Sequence, residues 1–232
     1  MMLLMVAAML AQLPASQVAR IQNQVLSVPG VGTITYGISV PNDYSPNAPR
    51  PLVVALHPGG PRTAYYGSAF MRQVVLPGLG DLRAVVVALD CPAPAWNHPM
   101  ADRAVMALVR KVLDEYAIDR RRVLVTGFSM GGRGTWFMAS HHPDVFTAAI
   151  PMAASTGDEP IDRLATMPTY VIHSRDDQVV PFGPAEQTAR ELEKRGRAIR
   201  FTELRGLGHY DMGGYVDALT AAGHWIAERW GK

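Results

Sequence analysis

The residues best suited to chemistry centre on Ser129, in the run Val123-Leu124-Val125-Thr126-Gly127-Phe128-Ser129-Met130-Gly131-Gly132. An apolar, β-branched stretch is broken there by Gly-x-Ser-x-Gly, and the residues through Ala139 read as a helix with one apolar side. A strand, a tight turn and a helix are the setting that gives this pentapeptide meaning. The turn holds the serine in a strained backbone conformation, which is tolerable because Gly127 and Gly131 carry no side chains to collide across it. Ser129 Oγ is then expected at the carboxyl end of a strand, where the N–H of Met130 can form half of an oxyanion hole at the helix N-terminus. The same pattern also arises by chance as a glycine-rich loop, so partners elsewhere in the chain must decide its meaning.

A serine hydroxyl is a poor nucleophile until a base takes its proton, and the base needs an acid to fix its tautomer. Seven histidines compete for the first role. His57 and His173 end strands, His98 lies in a proline-rich loop, His141 and His142 close a helix before Pro143, and His224 sits in the final helix. His209 differs, because Gly206-Leu207-Gly208-His209-Tyr210 is a loop just after the last strand, from which an imidazole can reach across the strand tops to Ser129. For the acid, Ser174-Arg175-Asp176-Asp177-Gln178 follows another strand and offers two adjacent carboxylates, with Asp158 and Glu159 as the alternative position. A second oxyanion donor is sought in Leu56-His57-Pro58-Gly59-Gly60-Pro61. Pro58 has no N–H, so Gly59 is the expected donor and Gly60 the next.

These loops need a frame. Residues 24–28 and 33–40 flank Pro29-Gly30-Val31-Gly32 and predict an antiparallel hairpin. Continuous apolar runs at 52–56, 84–89, 123–127, 148–152 and 169–172 read as strands covered on both faces, although Pro151 weakens one of them. Helical patterns lie between them at 102–116, 186–194 and 215–230, and residues 199–204 give a last, alternating strand. The expected fold is α/β: a mostly parallel central sheet with an antiparallel N-terminal hairpin, helices on both faces and no large lid. Ligands of such sheets bind at the carboxyl ends of the strands.

At 232 residues, 48% apolar and 18% charged, the chain suits a single catalytic domain over residues 21–232. A net charge of +2 without a basic stripe argues against nucleic-acid binding, and Arg120-Arg121-Arg122 reads as a solvated turn before the central strand. Cys91 is the only cysteine, which excludes an internal disulfide and a cysteine-based zinc site. Met1 to Leu13 is almost wholly apolar and is followed by small and polar residues. Residues 1–20 are therefore expected to be a signal peptide rather than a stable membrane anchor, and the protein to be secreted or periplasmic.

From about Pro51 to Tyr210 the chain resembles an α/β-hydrolase of the group holding secreted carboxylesterases, feruloyl esterases, polyhydroxybutyrate depolymerase-like proteins and phospholipase/carboxylesterase-type peptidases. The resemblance rests on Asp119 to Val123 leading into Gly127-Phe128-Ser129-Met130-Gly131-Gly132, on Gly134-Thr135-Trp136, on His173 through Asp177-Gln178-Val179-Val180-Pro181, and on Gly208-His209. It implies a triad in the chain order Ser129, Asp177, His209, with Asp177 rather than Asp176 as the acid. The loop at His57 is similar to the His-Gly-Gly-Gly loop of esterases but carries Pro58 where glycine is usual. Hydrolysis of carboxylic esters through an acyl-enzyme is the expected activity, with no metal and no organic cofactor. The substrate is expected to be a small-molecule or polymer-end ester, with Tyr65, Tyr66, Trp96 and Tyr210 as candidate contacts. A serine peptidase of the same fold, and a non-catalytic binding protein on this scaffold, are the alternatives.

Overall fold

The computed structural model describes residues 20–61, 63–164 and 166–231. Apart from Arg20, the expected signal segment lies outside the described residues. Eight strands form one sheet in the order β1-β2-β4-β3-β5-β6-β7-β8. They are β1 (Ile21–Val28), β2 (Gly32–Ser39), β3 (Arg50–Leu56), β4 (Val85–Leu89), β5 (Ile118–Phe128), β6 (Ala148–Met152), β7 (Thr169–Ser174) and β8 (Ile199–Leu204). The β1–β2 hairpin turns where Gly30 and Gly32 adopt positive φ, 74° and 107°, which side chains disfavour. β2 pairs antiparallel with β4, and every later pairing is parallel, so β3 to β8 share one carboxyl edge.

Each face of the sheet has its own core. Leu52, Val54 and Leu56 of β3 pack with Val105 and Leu108 of α3 (Pro99–Glu115) and with Trp136 of α4 (Met130–His141). The alternate residues Val53 and Ala55 pack on the other side against Phe70, Val74 and Leu79 and against Leu219 and Ile226 of the closing helix, Val216–Trp230. This is why the strand reads as an unbroken apolar run: a period of two has both of its faces buried. Each buried Val, Leu, Ile or Phe among them contributes about 1.5–3 kcal/mol by leaving water.

Three local features depart from the expectations, whereas the strand through Pro151 forms as expected. A helical stretch, unmarked by any clear apolar period, covers the second face through α1 (Tyr66–Phe70), a π-turn (Met71–Val75), α2 (Leu76–Leu79) and a 3-10 turn (Gly80–Leu82). Arg120, Arg121 and Arg122 are not in a turn but lie inside β5, where Asp119 pairs with Arg121 at 3.2 Å and Arg122 at 2.9 Å. Pro151 does sit inside β6, opposite Gly127 of β5. Its missing N–H falls on the β7 side, between Ala149 N–H donating to Pro168 and Ala153 N–H donating to Ile172. The β6–β7 register accordingly pairs only Ala149 with Thr169 and Met152 with Ile172. The helix expected from Glu186 starts earlier, as α5 (Phe182–Lys194), and the closing helix is α6.

Candidate active site

Ser129 caps the N-terminus of α4 with φ 55° and ψ −115°. Non-glycine residues avoid this conformation, and here it is imposed from both sides. Ser129 N–H donates to Met152 O on β6 at 3.0 Å, and Ser129 O accepts from Arg133 N–H at 2.9 Å. A Cβ on Gly127 would overlap the Gly131 carbonyl, and one on Gly131 would overlap the Leu56 carbonyl at the end of β3. The glycines thus clear space within the turn and also let α4 start hard against the neighbouring strand.

His209 Nε2 lies 2.7 Å from Ser129 Oγ, and its Nδ1 lies 2.7 Å from Asp177 Oδ2. With Nδ1–H donating to the carboxylate, Nε2 is left to accept from the serine hydroxyl. That chain can take a proton from an attacking hydroxyl and hold the resulting imidazolium beside a negative charge. Asp177 Oδ1 is occupied by the N–H groups of Val179 at 2.9 Å and Val180 at 2.8 Å. Burial raises the Asp177 carboxyl pKa, but the His209 hydrogen bond and these two N–H donors together hold it below the ordinary 3.8.

Neighbouring side chains, with no role in the proton relay themselves, fix the two loops. Ser174 Oγ donates to Leu207 O at 2.6 Å and Ser174 N–H donates to the Tyr215 hydroxyl at 3.1 Å, joining the loops after β7 and β8. Gln178 Oε1 accepts from the His209 N–H at 3.1 Å. Phe128 packs on His209 at 5.4 Å and on Tyr215 at 5.0 Å between ring centroids. His173 is wholly buried behind Asp177, its Nε2 3.1 Å from Val180 O and 3.5 Å from Asp177 Oδ2.

The remaining candidates for base and acid lie elsewhere. Glu159 is 3.6 Å from His141, and His142 is 2.6 Å from Asp102. His98 caps α3 by accepting the Met100 N–H, and His224 meets Asp81 at 2.8 Å.

Gly59, in the loop after β3, sits beside Met130: a Cβ on Gly59 would come no nearer than 3.9 Å to Met130 Cβ. Met130 opens α4, and first-turn N–H groups have no acceptor within their own helix. Of the four aromatic candidates, Tyr210 is 79% exposed next to His209. Tyr66 starts α1 rather than lying in a loop, and its ring end reaches Gly60. Tyr65, just before it, takes a left-handed φ of 63°. Trp96 is a correction. It is 1% exposed and donates its indole N–H to His57 O at 2.9 Å, so it supports the loop after β3 from within and offers no face to a ligand.

Among the described residues no group of three or more His, Cys, Asp or Glu side chains is arranged to hold a metal ion. No described helix is long and apolar enough to cross a membrane.

The model of the dienelactone hydrolase family matches residues 95–210, a span that contains Ser129, Asp177 and His209. The "Probable feruloyl esterase C" of Aspergillus flavus is 26% identical over 157 residues, 63% of this chain and 56% of the relative. The chain therefore spans little more than half the length of that relative. A crystal structure of a thermostable esterase superposes with a TM-score of 0.73 at 29% identity, over 90% of this chain and 62% of the other. An S-formylglutathione hydrolase from Staphylococcus aureus shares the fold at a TM-score of 0.72 and 15% identity, over 90% and 97% of the two chains.

Proposed function

The chain belongs to the dienelactone hydrolase family, and from that premise we propose that it is a serine hydrolase that cleaves carboxylic esters. The observation that carries this reading is the unbroken chain from Ser129 Oγ through His209 to Asp177, 2.7 Å at each link, at a strained strand-to-helix turn. Ser129 Oγ attacks the ester carbonyl carbon as His209 Nε2 takes its proton. The carbonyl oxygen, now an anion, is held by the N–H groups of Met130 and Gly59. Collapse of this intermediate expels the alcohol, which leaves with the proton from His209, and Ser129 remains acylated. A water molecule, deprotonated by His209, then attacks the acyl carbon, and the carboxylic acid leaves as Ser129 regains its proton.

The exposed Tyr210 ring and the similarity to a feruloyl esterase make aromatic acyl esters the first substrates to assay. Residues 1–20 act in this reading as a signal peptide, which makes the protein secreted or periplasmic. The test is labelling with a fluorophosphonate, together with hydrolysis of nitrophenyl acyl esters, methyl ferulate, hydroxybutyrate oligomers and an amide counterpart. Labelling confined to Ser129, with ester turnover falling about a million-fold in Ser129→Ala, is the expected result. A folded Ser129→Ala protein that turns over esters at the wild-type rate would overturn the mechanism.

A further inference from the structure

His57 lies outside the Ser129–His209–Asp177 relay, yet it is only 6% exposed and every polar atom of its ring is engaged. Its Nε2 lies 3.0 Å from the backbone N–H of Cys91, the residue reached two places after β4. A backbone N–H can only donate, so Nε2 carries no proton and the proton of the neutral ring is on Nδ1. Nδ1 is 2.7 Å from the carbonyl oxygen of Pro58, the next residue in the chain, and donates to it. The ring cannot swing away, because Tyr66 and Trp96 pack edge-on against it with centroids at 4.8 Å and 5.0 Å. Trp96 also grips the His57 carbonyl.

The Pro58 carbonyl and the Gly59 N–H belong to one peptide unit, which is trans like every described peptide bond. In a planar trans peptide the C=O and N–H point in opposite directions. Drawing the carbonyl inward to a buried ring therefore turns the Gly59 N–H outward. Among the described residues none accepts that N–H. We propose that His57 is a positioning residue for the oxyanion hole: its neutral, Nδ1-protonated ring, locked by the Cys91 N–H, holds the Pro58 carbonyl and so aims the Gly59 N–H at the reacting oxygen. Pro58 suits this arrangement, since its restricted φ leaves the following peptide fewer orientations to choose among. Burial keeps the imidazole neutral by holding its pKa below the ordinary 6.5, against the opposing pull of the Pro58 carbonyl and Asp90.

The inference rests on the proposed esterase mechanism, and two isosteric variants separate the two. Asn at position 57 can present an amide N–H near the Nδ1 position, whereas Gln presents its amide near Nε2 and leaves the Pro58 carbonyl without a donor. For His57→Gln the expected loss in kcat is about ten- to a hundredfold with KM nearly unchanged, the scale of one misdirected oxyanion donor. Affinity for an aryl boronic acid, whose tetrahedral adduct needs the same donors, should fall by a similar factor. A merely structural role would lower the melting temperature without that matched loss. His57→Asn should stay within about tenfold of wild type in both measurements. A wild-type kcat in His57→Gln, unchanged boronate affinity, or equal loss in folded Asn and Gln variants would overturn the role of His57. If only one variant folds, its own expected value decides the question. Ser129→Ala assayed alongside reports on the underlying mechanism: an active Ser129→Ala protein overturns the esterase reading itself, whereas an inactive one beside unaffected His57 variants overturns only this inference.

Discussion

Asp176 and Asp177 are adjacent in sequence but turn their carboxylates to different tasks. Asp177 Oδ2 meets His209 Nδ1 at 2.7 Å, whereas Asp176 Oδ2 accepts the Gly206 N–H at 2.6 Å on the exposed side of the same loop. An Asn at either position can keep the backbone hydrogen bonds through its remaining carbonyl oxygen. Only at 177 does the new amide face an imidazole, where it favours the wrong tautomer and removes the counter-charge. On the proposed mechanism Asp177→Asn should lower kcat by roughly ten-thousandfold, and Asp176→Asn by less than about tenfold, as for a surface change. Steady-state kinetics on a nitrophenyl ester checks both, and the reverse pattern would reassign the acid.

Gly59 lies beside Met130 and Gly131 follows it, but only Gly59 has a side chain's worth of space. A methyl group at Gly131 would run into the Leu56 and His57 carbonyls, which belong to backbone that cannot move without dragging β3. Gly131→Ala should therefore cost more than about 3 kcal/mol, beyond the usual range of overpacking, or prevent folding. Gly59→Ala meets only Met130 at 3.9 Å and should melt like the wild type. Any fall in its kcat would then arise against the substrate, not within the protein. Chemical denaturation of the two variants distinguishes these cases.

Trp96 and Tyr210 both look like aromatic pocket residues in the sequence, and the structure separates them by burial. Trp96→Phe would leave the buried His57 carbonyl without its indole donor and open a gap, at a cost of about 2 kcal/mol or more. Tyr210→Ala removes a ring that is 79% exposed, so its stability should be unchanged within about 0.5 kcal/mol. If that ring receives aromatic acyl groups, KM for methyl ferulate should rise severalfold while KM for a short aliphatic ester holds. Equal effects on both esters would remove Tyr210 from acyl recognition.

The difference between what could and could not be read in the sequence has a physical basis. The placement of Ser129, His209 and the two aspartates in loops after strands was legible, because such positions follow from residue type and from where the apolar runs end. The sheet was legible because burial on both faces leaves unbroken runs such as Leu52 to Leu56. The helical stretch from Tyr66 to Leu82 was not, since it is broken into turns of three periodicities and interrupted by Pro77. Ser174, Gln178 and Tyr215, which hold the loops bearing Asp177 and His209, act through hydrogen bonds to backbone or to each other's loops. Such contacts carry no spacing rule. His57 was visible as a loop histidine, but its engagement with Cys91 and Pro58 depends on how β3 and β4 end side by side.

The buried imidazoles also make stability depend on pH in a defined direction. Burial disfavours the charged forms of His57 and His173 and holds both below the ordinary 6.5, more strongly than the neighbouring carbonyls and carboxylates raise them. In the unfolded chain each histidine takes up its proton near 6.5, while in the folded protein it does so only at lower pH. Over that interval the unfolded state binds more protons, so the stabilisation is complete above 6.5 and is lost as pH falls toward the folded values. Asp177, held below 3.8, adds a loss of the same sign in a separate, more acidic window. The melting temperature should therefore be level near neutrality and decline as the solution is acidified below 6.5. His173→Gln keeps an N–H near the Nε2 position to donate to Val180 O but cannot take up a proton there. That variant should start with a lower melting temperature at neutral pH and lose less of it on acidification. A slope as steep as the wild type's would assign the acid sensitivity to groups other than His173.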